Sequence, residues 1–208
     1  MRKSAILGCV LACLVASSFV AGCGGSSNAP AAKPAASATT TAAAVTGLKA
    51  PIFEQPALIT SIGQSADAQM VKALADRSEL KYKYDVAAKP EALTGNKTLI
   101  LVIGGSSKGM GAAGVNQAQE QDRAKALIAK AKEMKMPIMA LHVGGAARRG
   151  DLTDKFIPLI SDASYMVVVA DGDKDKAFTN IASSKKMPMD YATNVADVGK
   201  YLKAAFKK

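Results

Sequence analysis

The chain has 208 residues, 27 basic against 17 acidic side chains and a net charge of +10. Its length leaves room for one domain of ordinary size. Tryptophan is absent and aromatic residues make up only 5%, and no basic-aromatic motif interrupts the lysines, which argues against nucleic acid as a partner.

The order of the chain begins with Arg2 and Lys3, followed by the apolar run from Ala5 to Val20. This is the layout of an export signal, and the Gly/Ser/Ala tract that follows is wrong for a spanning helix. The signal ends in Val20-Ala21-Gly22-Cys23, which resembles the lipobox of bacterial lipoproteins. In that motif the cysteine becomes the first mature residue and carries lipid. Val10-Leu11-Ala12-Cys13 fits less well, because cutting there leaves a very short apolar region. The expected organisation is a signal peptide over 1–22, lipidated Cys23 heading a tether to residue 50, and one domain over 51–208. Such a protein is anchored to a bacterial membrane by lipid, with the domain facing the periplasm or cell exterior.

Cys9 and Cys13 would leave with the signal, and no cysteine follows Cys23. The domain therefore has no internal disulfide, cysteine metal site or thiol nucleophile, and its stability rests on its core. Cleavage also removes Arg2 and Lys3 and takes the net charge from +10 to +8. A basic domain beside a membrane suits an anionic surface or an anionic ligand, although solvated lysines also serve solubility alone. Residues 24–50 are Gly, Ser, Ala, Thr and Pro with almost no large apolar side chain, the composition of a tether.

From Pro51 onward, short apolar runs alternate with helical periodicity. Ala57 to Ile62 reads as a strand leaving through Gly63-Gln64-Ser65, with Ser65 placed to cap a helix that carries Met70, Val71 and Leu74 and has Asp67 in its first turn complementing the dipole. Leu80 to Val86 alternates apolar and polar residues, as a half-exposed edge strand does. Leu99 to Ile103 is continuously apolar, as in the middle of a parallel sheet. The Gly104 to Gly114 loop comes next, then a capping pair, Asn116 and Gln119, opening a helix whose inward stripe is Ala124, Leu127, Ile128, Ala131 and Met134. Strand Ile138 to Val143 exits through a Gly-Ala-Arg loop into a helix starting at Asp151 or Thr153. Strand Tyr165 to Ala170, a helix with Phe178 and Ile181, a short strand Met187 to Tyr191 and a terminal helix Val195 to Phe206 complete the chain.

This alternation predicts an α/β three-layer sandwich around a mostly parallel sheet of five or six strands. An edge-like second strand and a central third strand select the flavodoxin-like, Rossmann-like order 2-1-3-4-5(-6). Ligands in such sheets bind beyond the strand C-termini at the switch point. The second connection, with room for little more than one helical turn, fits this order poorly.

The expected ligand contacts therefore lie at three strand exits: Gln64 and Ser65; Gly104, Gly105, Ser106, Ser107, Lys108 and Gly109; and His142, Arg148 and Arg149. Glycine exposes backbone N–H groups while serine, lysine and arginine add donors and positive charge, which points to a small anionic molecule. The order required of a P-loop is missing, as is the dinucleotide pattern with its acidic partner. Gly105-Ser106-Ser107-Lys108-Gly109 also satisfies G-x-S-x-G, so a hydrolase built on Ser106 or Ser107 with His142 is the alternative reading, opposed by a helix that starts only near Asn116. A third reading is a structural or partner-binding lipoprotein with a membrane-protein partner. No cofactor and no metal are expected: Asp171, Asp173 and Asp175 lack the Gly and Glu of a calcium loop and suit helix capping, and the methionines suit core filling.

The segments ITSIGQSADAQMVKAL, LILVIGGSSKGMGAAG and MALHVGGAARRG resemble a family of bacterial exported proteins and lipoproteins classed as a domain of unknown function. The resemblance covers most of 51–208 and implies that these loops matter, without implying an activity.

Overall fold

The computed structural model describes residues 45–208; the expected signal peptide, Cys23 and the tether as far as residue 44 lie outside them. Six parallel strands, Ala57–Ile62 (β1), Tyr82–Tyr84 (β2), Thr98–Ile103 (β3), Ile138–His142 (β4), Tyr165–Val169 (β5) and Met189–Ala192 (β6), form one sheet in the order β2-β1-β3-β4-β5-β6. The flavodoxin-like order follows from the pattern of burial along the strands. β2 pairs only with Ala57–Ile59 and keeps Lys83 exposed at the edge, whereas every residue of β3 is buried. The crossover from β2 to β3 is a single 3₁₀ turn, Pro90–Leu93.

Helices cover both faces. Along β3, Leu99, Leu101 and Ile103 pack with Leu127 and Phe178 on one side, while Ile100 and Val102 pack with Val71 and Leu202 on the other. The first side is covered by Gln117–Glu133 (α3, which follows the short helix α2, Ser107–Ala112) and Ala177–Lys185 (α5). The second is covered by Asp67–Arg77 (α1) and Val198–Ala205 (α6). Each large aliphatic side chain buried this way contributes roughly 1.5–3 kcal/mol by removal from water, which is why both faces of a central strand must be apolar.

Local chemistry sets the helix ends, and in four places it departs from expectation. Ser107–Ala112 is a helix (α2), because Ser106 Oγ caps it by accepting from Gly109 N at 3.0 Å. The expected helix after β4 is divided into Asp151–Asp154 (α4) and a 3₁₀ turn, Ile157–Asp162, with Pro158 at its start. Ala66 rather than Ser65 is the N-cap of α1. Met134 is 42% exposed and not part of the inward stripe of α3. The Asn116/Gln119 capping box is formed, with both reciprocal bonds at 2.9 Å.

Residues on the tether side of Pro51 are bonded to the domain. Thr46 O accepts from Met189 N at 3.0 Å, and Leu48 N donates to Asp190 Oδ2 at 2.9 Å. Phe53 is fully buried against Phe206 and Tyr165. No helix among the described residues is long and apolar enough to cross a membrane.

Candidate functional site

The exits of β1, β3 and β4 converge beyond the strand C-termini. Gly63 has φ +98°, and a Cβ there would lie 2.4 Å from Gly104 O, so only glycine lets the two exits meet. Ser106 N donates to Gly63 O at 2.8 Å, and Gln64 bridges to Gly105. The third exit is tied in through Thr153, whose hydroxyl accepts from Gly105 N at 2.8 Å and donates to Arg148 O at 2.6 Å.

Several expected contacts are occupied by the protein itself. Gln64 is buried, and its amide donates to both oxygens of Glu120 at 3.1 Å and to Val86 O. Glu120 also receives Gly63 N at 2.9 Å and a guanidinium pair from Arg123, which in turn reaches Ser61 O and Ala88 O at 2.6 Å. This network braces the β1 exit and engages the Gln64 amide within the protein. Arg149 is likewise consumed. It donates to Asp154 at 2.7 Å and bidentately to Asp175 at 2.9 and 2.7 Å, and lies 5.4 Å over the Phe178 ring. Asp175, then Asp154, hold the Arg149 pKa above its ordinary value, and Arg149 draws Asp175 down to about 2. The Arg149 guanidinium is thus engaged by two carboxylates and by Gly172 O within the protein.

His142 is fully buried, stacked on Phe178 at 4.9 Å, with Nδ1 3.1 Å from Ile103 O and Nε2 3.2 Å from Gly145 O. Burial pushes its pKa below 6.5, against the two carbonyls, which favour the charged ring. Both ring nitrogens face backbone carbonyls in a fully buried position, and no serine hydroxyl is among the hydrogen-bond partners of His142. Ser106 and Ser107 do stand at the turn from strand to helix, contrary to expectation, because α2 begins at Ser107. Ser106 Oγ is spent as a cap, however, and the constellation of serine and histidine is not assembled.

What stays available is smaller. Ser107 and Lys108 are exposed on α2. Arg148 donates through Nε alone to Asp67 Oδ1 at 3.2 Å, and its side chain is 34% exposed. Together with Gly105, Ala147, Arg149 and residues 150–153 it lines an open hollow of about 210 Å³. Larger hollows of about 320 and 480 Å³ lie beside α6 and β6, away from the converging exits. Ser65 is buried, accepting from Asp67 N at 3.2 Å. Asp67 is itself fully buried, and its Oδ2 has no hydrogen-bond partner among the described residues. Leaving such an acceptor bare costs about 1–3 kcal/mol, more when charged.

Sequence reasoning read Asp67 only as a complement to the helix dipole and did not single out Glu120. The signal for Glu120 was a charge on the inward stripe, four residues before Ala124. No group of three or more His, Cys, Asp or Glu among the described residues is placed to hold a metal ion.

A family model described as a domain of unknown function, DUF6305, matches residues 54–206. The chain belongs to this family. The matched residues run from before β1 to the end of α6 and include all three exits. A search of curated proteins found no match. Among solved structures, the DUF6305 chain is similar to a mutant of the esterase AlinE4 at 9% identity and a TM-score of 0.30, over 64% of this chain and 72% of that one. A likeness at that level carries neither fold nor chemistry.

Proposed function

We propose that this chain is an exported, lipid-anchored binding protein that holds a small anionic ligand where the exits of β1, β3 and β4 meet. The observation that carries this reading is the economy of Arg148: one 3.2 Å bond to Asp67 occupies Nε, the two terminal nitrogens have no bond among the described residues, and the side chain lines the open hollow. A guanidinium held at one corner presents a fork suited to carboxylate or phosphate. Lys108, exposed on α2, adds positive charge on that loop, and the basic balance of the chain favours the approach of anions.

A thermal-shift screen of carboxylates and phosphates tests the site. At least one small anion stabilises the wild type, and Arg148→Ala weakens its binding by roughly tenfold or more, as expected for one charged hydrogen-bond partner at about 1.5–3 kcal/mol. Stabilisation that survives Arg148→Ala, or none by any anion, rejects the site. For the anchor, Cys23→Ala is expected to move the protein from the membrane fraction to the soluble one; unchanged membrane association rejects it.

A further inference from the structure

At the end of the sheet opposite the three exits, residues 46–54 cross under the strand starts before the chain enters β1. Thr46 O accepts from Met189 N at the head of β6, Phe53 packs on Tyr165 at the head of β5, and Glu54 is bonded through N and O to the Thr98 hydroxyl at the head of β3. This crossing leaves Ile52 in water. Ile52 is 38% exposed and Met134, at the end of α3, is 42% exposed. These two, of the four large apolar side chains exposed among the described residues, line one hollow of about 300 Å³.

Lysines surround the apolar pair. Lys97 and Lys135 line the same hollow, and Lys203 and Lys208 line the hollow of about 320 Å³ beside α6. All four are exposed, and none forms an ion pair among the described residues. The two hollows adjoin through Lys207, which lines the second and holds Glu54 of the first at 2.9 Å. That pairing leaves Glu79 as the one acid of these walls without a cation. Solubility alone accounts for scattered lysines, but an apolar pair rimmed by cations is the pattern of a surface that meets lipid. Lysine stems lie along apolar ground while their ammonium groups reach phosphate.

Resting on the lipid anchor of the proposed function, we propose that this end of the domain docks on the anionic surface of the membrane. Ile52 and Met134 enter the headgroup level, and the lysines take the phosphates around them. A chain anchored at Cys23 joins the described residues at this same end, and docking there turns the three exits away from the bilayer.

Flotation tests the face, using the full chain with Cys23→Ala, which carries no lipid, and vesicles of phosphatidylcholine alone or with an equal share of phosphatidylglycerol. Binding to the anionic vesicles is at least tenfold tighter, and the preference is abolished by Lys97→Glu with Lys135→Glu and by high salt. Lys203→Glu with Lys208→Glu, on the second hollow, lowers it as well, so either pair decides if the other fails to fold. The apolar run from Ala5 to Val20 is common to every variant and cancels in the comparison. Equal binding to both vesicles, or a preference that survives the lysine variants, overturns the docking face. A preference lost only in Arg148→Ala also overturns it and assigns the headgroup phosphate to the exits. The outcome does not depend on lipidation, which the membrane fractionation of Cys23→Ala decides separately.

Discussion

At the scale of single residues, the crevice is shaped by what each polar group has already spent. His142 has both ring nitrogens against backbone carbonyls and its face on Phe178, and a neutral ring donates to only one of them. Burial, outweighing those carbonyls, lowers its pKa in the folded state. The unfolded chain then binds more protons between the folded value and about 6.5, so His142 supports stability above about pH 6.5 and that contribution falls away as the pH drops through the folded pKa. Because it is the sole histidine, its C2 proton gives one unambiguous NMR titration. A midpoint below 6.5 is expected; a midpoint at or above 6.5 contradicts the buried, neutral ring. The same reasoning explains why Asp67 was legible only as a first-turn acid: its partner Arg148 is 81 positions away, and no local pattern reports such a contact. Arg148 and Arg149, identical as neighbours in sequence, are separated in role by Asp154 and Asp175 on one side and Asp67 on the other.

At the scale of elements, the exits are held in register by side chains that arrive from helices. Glu120 and Arg123, one turn apart on α3, brace Gly63 and Gln64 at the end of β1 and the carbonyls of Ser61 and Ala88. Removing one member of a buried pair leaves the other uncompensated, so Glu120→Ala is expected to cost about 3–5 kcal/mol in urea unfolding. A loss under about 1 kcal/mol, the range of an exposed pair, would contradict the brace. The strands were readable because continuous burial demands continuous apolar sequence, and α3 because Asn116 and Gln119 form a local cap. The short helix α2 was not readable: Ser-Lys-Gly-Met-Gly-Ala has two glycines and poor helix propensity, and it forms because Ser106 caps it and Met110 is buried. The helix expected after β4 is likewise cut short, with Pro158 at the start of the 3₁₀ turn that follows.

At the scale of the whole molecule, the parallel order brings three glycine-rich exits to one edge of the sheet, while the chain enters elsewhere, with Thr46 bonded to the first residue of β6 and Phe53 to the end of α6. The described residues ahead of Pro51 are therefore bonded at the strand starts, and the three exits open at the strand ends. The most direct test is a two-dimensional ¹⁵N NMR titration of the full chain with the carboxylate or phosphate that stabilises it most in the thermal-shift screen. Saturable shifts are predicted to cluster at the amides of residues 63–67, 104–108 and 148–153, and to disappear in Arg148→Ala. Shifts confined to the hollows beside α6 and β6, or no saturable shifts at these exits, would contradict a ligand site at the switch point.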